Sequence, residues 1–570
     1  MKTPLLCALS LLFPLSSASA SDRVLDAMKD ELGRTMSRLA MPGMQKPYFV
    51  SYLLSDSTGY YVSASFGELV DSRGDVSRDA AVEIRIGDRS FDSSSYAGSD
   101  FRSFRPVTGG TVIEDDYDAV RAGLWSLSDG AYKSALEKYA QKKAYSEKKD
   151  IKELYGDLSK EGKTSLLEDV HPAPAFPKED WERRVRELSV VFRKYPGVQS
   201  SEVRVECTRR VNRFVNSEGT RYRVNADKAH LYVYAAAQTG AGLKVSEQKE
   251  MHWPSCSDIP GQAELLGTVE NFAERMDALS RSPAGEVYLG PVLFEGDAAA
   301  EFIGQLFVRG ISFPRRAWAD NDDYLKYYID KGGLVERVGM RVLPGFISVH
   351  DDPAAREASG RPLAGYYRID SEGVVPGRLE LVKNGRLANV YMSRGPVRDF
   401  RSSNGHGRAA LNEFPSGRPG NVFVNSRKTA PSAELKKRLL DLAAEQELDY
   451  AVIVRSLASE GSLDMENILA APVFAWKVYR DGREELMNGV EFTGVTYRAL
   501  RDIVLTSDEP YIYNYYQLGP YAMARGSVAA SIVAPSAVLV QEMELKRTDR
   551  KPDRAPYLEH PFFAKNGGKK

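Results

Sequence analysis

Residues 200–237 read SSEVRVECTRRVNRFVNSEGTRYRVNADKAHLYVYAAA, and the fold class turns on the period of two in this stretch. Val203, Val205 and Cys207 alternate with polar residues, and Phe214 and Val215 follow. Asn216-Ser217-Glu218-Gly219 has turn composition, after which Tyr222 to Tyr234 resumes the strand pattern. On both sides the spacing changes to three and four. Trp181, Val185, Leu188 and Phe192 share one helical face upstream, and Leu265, Val269, Phe272, Met276 and Leu279 mark the buried side of a helix from Glu264 to Leu279 downstream. Strands framed by amphipathic helices predict an α+β domain.

Further upstream, Leu25, Met28, Leu32, Met36 and Leu39 predict a helix with Ser21 as its N-cap. Tyr48 to Leu54 and Tyr60 to Val70 read as strands separated by a turn at Thr58-Gly59, and Val82, Ile84 and Ile86 as one face of a third strand. Asp116 to Leu158 reads as mostly helix, with an apolar stripe of Leu124, Leu127, Tyr132, Leu136 and Tyr139. Its charged end, Lys142 to Lys152, reads as a solvated face within an insertion at about 142–163. Glu114, Asp115, Asp116 and Asp118 lack the glycine and closing glutamate of a calcium loop and read as a helix start. His171-Pro172-Ala173-Pro174 opens a connector.

Beyond Pro283 the pattern becomes β-rich. One apolar helix is expected at about Asp297 to Arg309, and a short one at Glu434 to Ala444. Leu379 to Val382 and Leu387 to Met392 flank Asn384-Gly385, and Asp481-Gly482 follows Phe474 to Tyr479, so two hairpins are expected. Ile532 to Leu545 closes the sheet region. The expected architecture is α+β in two domains, an N-terminal α/β-sheet domain over 21–284 and a β-rich C-terminal domain over 285–545, with a polar tail at 546–570.

At roughly 100–200 residues per domain, 570 residues suit two to four domains. The 77 basic and 78 acidic side chains nearly balance, and no block of one sign dominates, so sequence-independent nucleic-acid binding has no electrostatic footprint. Lys2, the apolar run Leu5 to Leu15 and Ala18-Ser19-Ala20 form the pattern of a signal peptide cleaved after Ala20, which predicts a periplasmic or secreted soluble protein. No later segment approaches the roughly 18 apolar residues of a membrane span. Cys207 and Cys256 remain in the mature chain, either as one disulfide or as two buried thiols.

Four stretches, in order, resemble the TldD/PmbA family, whose members were once labelled modulators of DNA gyrase. They are Phe214-Val215-Asn216-Ser217-Glu218-Gly219-Thr220; Gly365 to Val374 with the Lys383-Asn384-Gly385 hairpin; Ser402-Ser403-Asn404-Gly405-His406-Gly407-Arg408 leading to Asn421-Val422-Phe423-Val424; and Ser531 to Ser536. The resemblance implies a peptidase-like C-terminal domain. In active members a helix carries HExxxH, whose two histidines bind zinc with a distant cysteine while the glutamate acts as general base. The corresponding helix here reads Ala300-Glu301-Phe302-Ile303-Gly304-Gln305, and no cysteine follows Cys256. Alanine cannot ligate a metal and glutamine is a poor zinc ligand. No cofactor is therefore expected. The chain is similar to the metal-less PmbA/TldE-type members, which pair with a metal-bearing TldD-type subunit to process peptides. Peptide and a TldD-type partner, or a homodimer, are the implied partners.

Glu301 is then a vestigial catalytic position, and Ala300, Gln305, Ser403, His406 and Tyr513 are candidates to line a peptide cleft. His406 beside Ser402 and Ser403 lacks a nucleophile elbow and reads as structural or cleft-lining. His350-Asp351-Asp352-Pro353 reads as a polar turn, because neighbours on a strand point to opposite faces. Tyr511, Tyr513, Tyr515, Tyr516 and Tyr521 suit either a peptide groove or the packing of a β-domain. Two other readings stay open: an active metallopeptidase using Glu301 with His406 or His350, and a stand-alone envelope-associated binding protein.

Overall fold

The computed structural model describes residues 22–97, 105–152, 155–172, 176–320, 333–458, 468–520, 526–556, 558 and 560–563. The signal-peptide reading, Tyr521 and part of the connector after His171 lie outside these residues.

The first helix spans Arg23–Arg38, and Asp22 is its N-cap, accepting a hydrogen bond from the Leu25 amide at 3.1 Å. Thr58-Gly59 does not turn the chain. Phe49–Ser65 is one strand that pairs on one side with Glu68–Arg85 and on the other with Val198–Asn216. Neighbours on both sides hold Gly59 extended, and a Cβ there would sit 3.5 Å from Thr208 Oγ1. The hairpin turns instead at Phe66-Gly67, both with positive φ, and the expected third strand is the end of Glu68–Arg85.

These strands belong to an eight-stranded sheet. The strand Val198–Asn216 pairs along its first half with Lys228–Gln238 and along its second with Arg221–Asn225. Lys244–Trp253 then pairs with Lys228–Gln238 and forms one edge of the sheet. The helices Arg23–Arg38 and Tyr117–Lys149 pack on Val50, Tyr52, Leu54 and Val82. Lys178–Ser189 and Gln262–Arg281 pack on Val203, Val205, Leu231 and Val233. A disulfide joins Cys207 to Cys256, just beyond the edge strand, across 49 residues. A loop of that size is worth about 2–4 kcal/mol.

The helix expected to reach Leu158 ends at Lys149, with Asp150 left-handed at φ 47°. Lys142 is not on a solvated face. Its ammonium is fully buried, donating to Asp157 Oδ2 at 2.6 Å and to the Ser94 carbonyl at 2.9 Å, above the rings of Phe91 and Trp318. Asp157 also receives Arg315 at 2.6 Å and the Asp92 amide at 2.7 Å. Periodicity alone hides such a residue, because the acid that neutralises it lies beyond the end of the helix.

From Tyr288 onward the described residues build two large sheets, of eight and six strands, beside small two-stranded ones. The helical segment from Asp297 lies between them, its Phe302 and Ile303 in the core with Val292, Val454 and Ile532. Ser432–Glu445 covers the outer face of the larger sheet through Leu435, Leu439 and Leu442. The strand Ser527–Pro535 of the smaller sheet breaks at Ser536 and continues as Ala537–Arg547 in the larger. The Asn384-Gly385 and Asp481-Gly482 hairpins form, but after the first only Arg386–Leu387 continues as strand. The fold is mixed α and β. Among the described residues no helix is long and apolar enough to cross a membrane.

Candidate functional site

A cavity of about 1010 Å³ opens where the edge strand Lys244–Trp253 meets the helix Gln262–Arg281, the helix starting at Asp297 and the strand Pro510–Leu518. Glu301, Gln305 and Tyr513 line it, along with Tyr511, Tyr515 and Tyr516. Alternation along Pro510–Leu518 puts Tyr511, Tyr513 and Tyr515 on one face and Tyr516 on the other.

Glu301 is held from two sides. One carboxylate oxygen accepts the Leu457 amide at 3.0 Å and the other accepts the Tyr513 hydroxyl at 3.0 Å. Burial, reinforced by the Asp297 carboxylate, pushes the Glu301 carboxyl up to about 8. Asp297 goes the other way: burial would raise it, but Lys249 and the Tyr511 hydroxyl, both bonded to it, hold it below the usual range. Glu247 is raised well above the carboxylate range by burial and then by Glu301. This wall therefore carries three carboxyl groups and Lys249, and the two acids not bonded to the lysine are pushed up.

The helix is α over Asp297–Ile303 and widens to a π-turn over Gly304–Val308, a form often found at functional sites. Gln305 sits in that turn with its amide committed: its oxygen accepts the Ala470 amide at 2.8 Å and its nitrogen donates to the Ala458 carbonyl at 3.5 Å. Ala300 is fully buried in the core and does not reach the cavity. These residues do not fit the zinc of HExxxH enzymes, since neither flanking position offers a metal donor and no cysteine follows Cys256.

His406 and Ser403 lie away from the cavity. His406 is fully buried, its Nδ1 3.0 Å from the Asn404 carbonyl and its Nε2 3.5 Å from Asp351. The Ser403 hydroxyl donates to the Met392 carbonyl at 3.3 Å and accepts the Gly405 amide, so it is not poised as a nucleophile. His350 and Asp351 form a strand, not a turn, and face opposite ways: His350 stacks on Phe423, while Asp351 is buried and accepts the Tyr391 hydroxyl at 3.0 Å. The motif stretches instead hold one another. Asp370 accepts the Gly407 amide at 3.0 Å, the Gly365 amide donates to Ser531 Oγ at 3.0 Å, and Phe214 packs with Ile369. A Cβ on Gly365 would lie 2.1 Å from the Gly420 carbonyl, so that approach requires glycine.

A second polar wall escaped the sequence reading. His230, Glu250 and His252 also line the cavity. His230 and His252 are register partners across two strands, with rings stacked at 4.5 Å, and Glu250 stands two residues before His252 on the same face. Burial lowers the His252 imidazole to about 4. Glu250 is depressed: burial opposes this, but the contact with His252 and the nearby His230 imidazole prevail. The available signal was Glu250-x-His252 in a period-two stretch, but its partner His230 lies on another strand.

Residues 287–547 match the family profile described as the PmbA/TldA metallopeptidase C-terminal domain. No curated protein matches the chain by sequence. Its fold is similar to that of a proposed modulator of a DNA gyrase from Thermotoga maritima, at 15% identity and a TM-score of 0.55, covering 91% of this chain and 99% of that one. It is also similar to TldE from Thermococcus kodakarensis, at 13% identity and a TM-score of 0.53, covering 91% and 100%. A proposed modulator of DNA gyrase from Bacteroides thetaiotaomicron matches at 8% identity and a TM-score of 0.53, covering 93% and 100%.

Proposed function

The chain belongs to the TldD/PmbA family, which is metallopeptidase-related, and from that premise we propose that it is a non-catalytic subunit that binds extended peptide for a TldD-type partner. One observation supports the proposal: the cavity is lined by Glu301, Gln305 and a row of tyrosines, and in the family resemblance Ala300 and Gln305 take the metal-ligand positions. Gln305 is tied to backbone on both sides of its amide and braces the cavity wall. The tyrosines offer apolar area with polar tips, and the edge strand Lys244–Trp253 offers backbone groups for strand addition. Export after cleavage at Ala20 belongs to the same reading and is supported by the leader pattern and the Cys207–Cys256 disulfide.

The test is peptide binding and hydrolysis by the purified mature chain, alone and with a TldD-type subunit. Binding by the chain alone, weakened by Tyr513→Ala, with cleavage only when the partner is present, is the expected result. Cleavage by the chain alone that disappears in Glu301→Gln would make the protein an active peptidase. Failure to bind any peptide of the library would remove the subunit role proposed here.

A further inference from the structure

We propose that His230, Glu250 and His252 form a binding site for one divalent cation of the zinc class, separate from the family's HExxxH position. Among the described residues this trio brings together three potential metal-donor atoms, all within 4.8 Å of one another. Glu250 Oε2 stands 3.1 Å from His252 Nε2 and 3.6 Å from His230 Nε2, so a single oxygen faces both rings. The buried Nε2 of His230, the nitrogen that faces Glu250, has no hydrogen-bond partner. Buried polar atoms left this way are uncommon and point to a missing ligand.

The scaffold is rigid. The histidines are paired across a regular antiparallel ladder, and Tyr516 meets the His252 ring edge-on at 4.7 Å. Asn514 pins the His252 carbonyl at 3.1 Å. Two imidazoles and one carboxylate are the donor set of catalytic-type zinc sites, which keep a position open. Here the open position would face the cavity, where water or an oxygen of a bound molecule can enter. Lys228 stands two residues before His230 on the same strand face and also lines the cavity, a cation that an ion at the trio would have to tolerate. The inference does not rest on the peptide-binding reading, because metal uptake is measured without peptide.

The experiment is zinc titration of the tag-free mature protein by calorimetry, with cobalt(II) as a spectroscopic substitute. One equivalent is expected, with a cobalt visible spectrum typical of mixed nitrogen and oxygen ligation. Glu250→Gln and His252→Ala should each weaken zinc by at least about tenfold, a loss that even outer-shell partners can cause. His350→Ala and His560→Ala, at residues that do not line the cavity, should change nothing. Glu250→Gln keeps the side-chain shape, so it stays informative if His252→Ala does not fold. Absence of stoichiometric zinc, or zinc held equally well by Glu250→Gln and His252→Ala, would overturn the site.

Discussion

The two polar walls of the cavity solve the problem of buried charge in opposite ways. The carboxylate wall places Glu247, Asp297 and Glu301 around Lys249, so one acid is paired and the others are pushed toward neutrality. The imidazole wall places Glu250 between two histidines, and its carboxylate is kept charged. The first wall contains Glu301, the residue that the family resemblance sets against the motif glutamate. The second is set by strand register. The difference teaches that one cavity can bury acids either by pairing and neutralising them or by setting one between imidazoles.

The largest effect that would break this contrast is expected from Lys249→Met. It leaves Asp297 without its cation next to Glu301, and it should cost about 3 kcal/mol at neutral pH, read by urea unfolding. A change under about 0.5 kcal/mol would mean that the acids are relieved by solvent rather than by this pair. Zinc sharpens the other side. At a hundredfold excess over Kd it should stabilise the protein by about 2.7 kcal/mol, and this gain should vanish in His252→Ala but survive in Glu301→Gln.

The pH dependence of Glu301 is the next effect in size. Its carboxyl rises from 4.5 to about 8 on folding, so between those values the folded chain binds more protons than the unfolded one. Stability is therefore lost as pH rises through that window. Glu301→Gln removes the penalty. The variant should gain about 1–2 kcal/mol on the parent between about pH 5 and pH 8, a figure discounted because the side chain still opens to the cavity. A gain independent of pH would show that Glu301 is ionised throughout. Tyr513→Phe is the smallest change. It removes one hydrogen bond to Glu301 and should cost about 1 kcal/mol by the same unfolding assay.

Much of the fold was legible because its signals are local. The period of two across 200–237, the helix stripes at Trp181 to Phe192 and at Leu265 to Leu279, and the Asn384-Gly385 turn all lie within a few residues of what they specify. The errors fell where a neighbour distant in sequence decides. Gly59 looks like a turn residue but lies in a strand flanked on both sides, and Lys142 looks solvated until Asp157 and Trp318 close over it. The site divides the same way. Glu301 and Gln305 were reached through a motif position and do line the cavity, whereas Ser403 and His406, drawn from the stretches that carry the family resemblance, help hold the scaffold together.

Alone, the sequence determined the mixed α and β class and the family resemblance, since each depends on residue identity or short-range period. Only the tertiary structure decided that Glu301 belongs to a wall of three carboxyl groups, and that His230 and His252 meet across a ladder beside Glu250. The physical reason is that burial and register set both the protonation of a carboxyl and the approach of two imidazoles, and neither is a property of the residues taken one at a time.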